Sequence, residues 1–421
     1  MNNNNNDKPT AGSVVSAMFL VAGTCIGGGM LALPVATGIG GFLPSLAVLL
    51  IGWLAMTATA LLLLEVSLWM EEGAHIITMT SRLLGMPGKA VSWCLYLFIC
   101  YASLVAYTAG GGHQISSALS AYLDWPFSKE LGCVLFIVAF GVIVDLGSYL
   151  VGRINAILFI AMIAAYFALV VMGIDEVNLH LLTHQRWSYS IWSVPLILTT
   201  FSFQTMVPSL TPYLKRHVKS LRIAVIGGTA ITLCVYILWQ WLILGIVPVE
   251  GTNGLLAALQ LGEPPTQFLR EHVNGRWVSV IAEYFAFFAI VTSFLGIALG
   301  LVDFLSDGLK IRNKGWGKIA LGALIIIPTL IFATQYERAF LVAMEATGGI
   351  GDSILNGLIP VMMVWIGRYH RGFISSMRLP GGKPVLALIF VCFFTAFIIQ
   401  LLAYTVQPLE IYNAREIMDN P

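Results

Sequence analysis

Gly23-Thr24-Cys25-Ile26-Gly27-Gly28-Gly29 interrupts the first long apolar stretch of the chain, between residues 14–22 and 30–35, which both read as membrane helix. Each glycine costs a helix about 1 kcal/mol relative to alanine. In hydrocarbon the cost of an opened helix is greater, because every freed N–H and C=O must find a partner. One reading is a discontinuous helix whose bare backbone holds a substrate. The other is close helix packing through the Gly-x-x-x-Gly pair Gly23 and Gly27. This stretch alone leaves both open.

The composition describes a polytopic membrane protein. Of 421 residues, 58% are hydrophobic and 10% charged, against about 25% charged in soluble domains. No large soluble domain fits between the apolar runs, and no basic cluster points to nucleic acid. The six cysteines lie apart in apolar segments, which suits small packing residues better than a metal signature or a disulfide framework. The Asn2–Asn6 run opens a polar tail, read as disordered over 1–12. No cleavable signal peptide is expected, since the first apolar segment is followed at once by another.

A span needs about 20 apolar residues. Eleven stretches qualify: 13–37, 42–69, 90–122, 131–148, 153–173, 191–213, 221–247, 277–306, 317–334, 339–366 and 384–407. The connection 248–276, with Pro248, Pro264 and Pro265, reads as a non-membrane cap. With the N-terminus in the cytoplasm, Lys129, Arg186, Arg270, Arg276, Arg338 and Arg415 fall outside and the other lysines and arginines inside. That asymmetry predicts N-in and C-out, with 408–421 a periplasmic tail. Trp53, Trp69, Trp125, Trp187, Trp192 and Trp365 lie near segment ends, as interface anchors do.

The sixth segment carries a second interruption, Thr199-Thr200-Phe201-Ser202-Phe203-Gln204-Thr205-Met206-Val207-Pro208-Ser209-Leu210-Thr211-Pro212. Pro208 removes a helical donor and crowds the carbonyl of Gln204. Two broken segments five apart, entering from opposite sides, form the signature of an inverted repeat with its binding site at the breaks. The expected units are 13–173, 191–366 and a final helix over 384–407.

Carboxylates inside a membrane are functional suspects. Glu65, Glu283, Glu345 and Asp352 are candidates for carrying a proton. Asp145, Asp303 and Asp307 sit at helix ends, where pairing with inner basic residues or water is the simpler reading. Thr292-Ser293 offers hydroxyls for a sodium ion, or back-bonding to their own helix. Tyr101 and Tyr107 present phenols that suit a substrate carboxylate or plain packing. Gly349-Ile350-Gly351-Asp352 has the G-x-G-D form of intramembrane aspartyl proteases, but the chain has no Tyr-Asp pair to complete such a site. His75 and His113 stand alone, and no catalytic constellation suggests an enzyme.

Residues 22–34, AGTCIGGGMLALP, resemble the first-helix motif of the hydroxy/aromatic amino acid permeases, within the amino acid–polyamine–organocation superfamily. Residues 61–66, 201–209 and 292–301 look like the tyrosine-specific branch, with Ser202-Phe203-Gln204 standing where glycine and histidine are expected. The resemblance implies an all-α protein of eleven transmembrane helices. Ten form a leucine-transporter-like five-plus-five inverted repeat, with helices 1 and 6 discontinuous. It implies proton-coupled import of an aromatic amino acid, tyrosine first, across the bacterial inner membrane. Tryptophan or phenylalanine as substrate, and sodium as the ion, are the alternatives. A non-transporting amino-acid receptor is the alternative of another class. Expected partners are the amino acid, the ion and the bilayer, with no cofactor, metal, nucleic acid or obligatory protein partner.

On this reading the substrate carboxylate meets N–H groups of Gly27, Gly28 and Gly29 at a positive helix end. The ammonium meets carbonyls of Ala22, Gly23, Thr200, Phe201 and Ser202, with Thr24 and Tyr101 nearby. Val105, Phe201 and Phe203 wall an apolar pocket, and Ser202 or Gln204 supplies the polar contact.

Overall fold

The computed structural model describes residues 11–406 except 72–73, 252, 263–265, 267, 273–275, 313 and 337. Residues 1–10 of the expected N-terminal tail, and the whole expected C-terminal tail, lie outside the described residues. Within them every regular element is helical.

The first apolar stretch forms α1 (Ala11–Cys25) and α2 (Gly28–Gly38), whose axes diverge by 56°. The helix opens at Ile26 and Gly27, with Gly27 extended (φ −171°, ψ −152°). Three elements follow closely, α3 (Phe42–Trp69), α4 (Ile76–Leu123) and α5 (Lys129–Asp145), and α6 (Ser148–Gly173) completes the first half. α4 is two helices joined at Gly85, whose φ of 74° and ψ of −161° suit glycine alone. Pro87 then opens the second helix, where its missing N–H costs nothing. The arm before Gly85 is not evident in the apolar pattern, which starts this span at 90. Its cap is His75, whose Nδ1 lies 3.5 Å from the Ile77 N–H. Burial pushes the His75 imidazole below its ordinary value, keeping the ring a neutral acceptor.

A short helix α7 (Trp187–Ser190) precedes the sixth stretch, which divides into α8 (Val194–Thr200) and α9 (Val207–Tyr213), followed by α10 (Val218–Ile246). The opening falls at 201–203, and Pro208 lies in the first turn of α9. In the expected cap, α11 (Leu255–Leu261) and α12 (Leu269–His272) are short, and α11 sets Leu255 against Gly38 at the end of α2. The chain continues through α13 (Arg276–Leu309), α14 (Trp316–Gln335) and α15 (Ala339–Ala346). A π-helix, Thr347–Leu358, links α15 to α16 (Ile359–Trp365). After a π-turn at Ile366–His370 comes α17 (Gly382–Val406).

Each stretch read as a span is helical along most of its length. Among the described residues, nine helices are long and apolar enough to cross a membrane, ten if α1 and α2 form one bent span. α5, with 17 residues, is shorter. The outward faces are apolar: Ile157 and Ile160 on α6, Ile319 on α14 and Leu388 on α17 are all exposed. Such a surface is stable only against lipid, so the protein is a multi-pass membrane protein. All six cysteines are free thiols.

Candidate functional site

The two openings meet. A methyl placed on Gly29 would lie 3.7 Å from Thr200 Cα, and Thr24 Oγ1 lies 3.2 Å from Met206 Sδ. α10 fastens them together. The Tyr236 hydroxyl is 2.7 Å from both the Cys25 carbonyl and the Thr200 carbonyl, and donates to either. Trp239 Nε1 donates to Met30 O (3.0 Å), and Gln240 Nε2 to Thr37 Oγ1 (2.6 Å). These three residues follow i, i+3, i+4 spacing and therefore share a helix face. Their polar atoms on one stripe of an otherwise apolar span were the signal available in the sequence.

The backbone groups at the junction divide into used and unused. Gly28 N–H donates to Ser293 Oγ at 3.1 Å. The Ala22 carbonyl accepts the Ile26 N–H, and that of Thr200 accepts Tyr236. Gly27 N–H and the carbonyls of Phe201 and Ser202 make no hydrogen bond among the described residues. One opening thus offers an unpaired donor and the other two unpaired acceptors, and the two openings meet where Gly29 approaches Thr200. That is the complement of a zwitterion.

Side chains close around this junction. Tyr107, buried, packs its ring against Gly28, where any Cβ would overlap Cε1. Phe201 and Phe203 are fully buried, and Phe201 stands edge-on to Tyr236 at 5.1 Å. Val105 is also buried, and Thr24 is exposed.

The chain matches the tryptophan/tyrosine permease family over residues 10–400. The tyrosine-specific transport system 1 of Haemophilus influenzae is 33% identical over 393 residues, covering 90% of this chain and 94% of that protein. The chain belongs to the tryptophan/tyrosine permease family. A tryptophan-specific transport protein of Pseudomonas aeruginosa is 28% identical over 384 residues, covering 90% of the permease described here and 91% of the relative. Among solved structures, MhsT in complex with L-phenylalanine superimposes with a TM-score of 0.56 at 14% identity, covering 94% of the permease and 98% of MhsT. That similarity is one of fold.

Other residues singled out in the sequence of the permease fall into distinct settings. Gln204 is fully buried and turned to α3: Nε2 donates to Met56 O (3.1 Å), while Oε1 accepts the Phe203 N–H (3.0 Å). It braces the opening from behind. Tyr101 donates to Leu324 O on α14 at 2.9 Å. Thr292 bonds back to Phe288 O (2.8 Å), the commoner use of a membrane threonine. Glu283 is exposed and Glu345 half-buried. Asp145 pairs with Lys318 at 3.0 Å, as expected for a helix-end carboxylate.

Glu65 is 1% exposed and engages Arg368 through two bonds, from Nε at 2.7 Å and Nη2 at 2.5 Å. Its charge is therefore already matched. Asp352 differs. It accepts at Oδ1 from Ser202 Oγ (2.6 Å) and from Asn356 Nδ2 (2.6 Å), so it joins the sixth-segment opening to the π-helix. Asn356 also reaches Ser202 Oγ at 3.2 Å. It was not singled out in the sequence, although its place four residues after a carboxylate puts both on one helix face.

Proposed function

We propose that this permease imports an aromatic amino acid, tyrosine first, across the bacterial inner membrane by alternating access, with proton symport. The observation that carries the reading is the meeting of two opened helices with the Gly27 N–H unpaired on one side and the Phe201 and Ser202 carbonyls unpaired on the other. The substrate carboxylate lies at the start of α2 and its ammonium at the sixth-segment carbonyls. The aromatic side chain extends beside Tyr107, Phe201 and Phe203, with Ser202 at its polar edge. The printed substrates of the relatives, tyrosine and tryptophan, support an aromatic ring and keep tryptophan as the second reading.

The proposed architecture has eleven spans. α1 to α6 form one five-span repeat, α7 to α16 the inverted second, and α17 the last, with the N-terminus inside and the C-terminus outside. Alternating access is then a rocking of one set of helices against the other about the two openings. The short connections leave no domain for signalling to a partner, so transport is favoured over reception.

Uptake of labelled tyrosine into proteoliposomes, with competition by each of the twenty amino acids, tests the reading. Tyrosine, tryptophan and phenylalanine should be the strongest competitors. Strongest competition by a small or aliphatic amino acid would refute it.

A further inference from the structure

The π-helix Thr347–Leu358 is pressed into the molecule by its glycines. A Cβ on Gly348 would overlap the Pro195 carbonyl of α8, one on Gly349 the Gln400 side chain of α17, and one on Gly351 the Ile99 side chain of α4. The G-x-G-D run is thus explained by close approach, not by proteolysis. Four residues apart and so on one face, Asp352 and Asn356 stand together against the sixth-segment opening, both at 0% exposure.

The cluster lacks one hydrogen. Asp352 Oδ1 is satisfied twice over, but Asp352 Oδ2 and Asn356 Oδ1 are buried with no donor. No salt bridge among the described residues compensates it. Among the elements packed against this run, α4 carries Tyr107 and α15 carries Glu345. α3 carries Glu65, already bound to Arg368. α17 carries Cys392, Tyr404 and Lys383, the last held over the rings of Trp365 and Tyr369. α8 and α16 carry no titratable group. A buried carboxylate without a partner costs several kcal/mol, and one added proton removes both the charge and the missing donor.

We propose that Asp352 Oδ2 binds the co-transported proton. The inference rests on the transport reading above and names its coupling site. The proton arrives from water on the outer face, adds to Oδ2, and leaves from the same oxygen to water on the inner face. Ser202 makes the connection to substrate: its hydroxyl holds Asp352, and its carbonyl is one of the two offered to the ammonium. Protonation of the carboxyl and filling of the opening therefore act on one residue.

The test uses the full chain in proteoliposomes. Unmodified protein should concentrate labelled tyrosine under an inside-alkaline pH gradient and not under a sodium gradient alone. Asp352→Asn should lose this accumulation entirely while still exchanging internal for external tyrosine. Accumulation by Asp352→Asn under the pH gradient would overturn the proposal, as would accumulation by the unmodified protein under sodium alone. If Asp352→Asn loses exchange as well, Ser202→Ala decides. Losing a donor that favours the charged carboxylate should move the pH of half-maximal uptake upward, and an unmoved profile would overturn the assignment. Absence of any aromatic exchange by unmodified protein would instead refute the transport reading.

Discussion

Gly28→Ala adds a single methyl at the junction, and the structure sets its consequence. The new carbon would overlap Cε1 of Tyr107 and lie 2.8 Å from its Cδ1 and 3.3 Å from its Cζ. The ring is buried, and Ser293 Oγ holds the Gly28 N–H at 3.1 Å. Moving Gly28 away from the ring strains that hydrogen bond. Overpacking of this kind costs about 1–3 kcal/mol, which corresponds to roughly 5- to 150-fold in affinity where the strain falls on the bound state. Equilibrium binding of labelled tyrosine to purified protein should weaken within that range. The matched control is Gly322→Ala on α14, whose Cβ meets nothing within 4 Å and which should bind normally. Wild-type affinity in a folded Gly28→Ala protein would refute the argument that this glycine is required by Tyr107 at the binding junction.

Three further substitutions separate bracing from binding. Tyr236→Phe removes the donor shared by the Cys25 and Thr200 carbonyls. It should cost about 1–3 kcal/mol, seen as a lowered melting temperature in detergent together with weaker uptake. Gln204→Leu should destabilise the protein but leave the rank order of competing amino acids unchanged, because its amide faces α3. A changed rank order would make Gln204 a reader of the substrate. Glu65→Gln strands the buried Arg368 guanidinium and should cost about 3–5 kcal/mol, whereas replacing both partners by methionine should restore most of the melting temperature.

The two openings were legible because their causes are local. Glycines clustered at 23 and 27–29, and hydroxyls with Pro208 in the sixth segment, weaken a helix locally, though glycine alone does not open one, since Gly110–Gly112 lie inside α4. The partners of the openings were not, because they depend on packing across the bundle. Tyr236 reads as one more aromatic in an apolar span until the structure sets its hydroxyl between two carbonyls. Gln204 looked like a substrate contact by virtue of its neighbours, yet a helix break turns successive side chains to different sides, and this one faces α3. Asp352 was visible as a buried charge, while its bond to Ser202 depends on how the tenth segment packs against the sixth, which periodicity does not announce. The arm ahead of Gly85 was missed because it is too short and too polar to register as a span.

The position of tyrosine bound to the purified protein, determined by cryo-electron microscopy, tests the central claim most directly. The carboxylate should lie at the Gly27 end of α2, the ammonium at the carbonyls of Phe201 and Ser202, and the ring beside Tyr107 and Phe201. Tyrosine bound away from both openings, with α1–α2 and α8–α9 unoccupied between them, would contradict it.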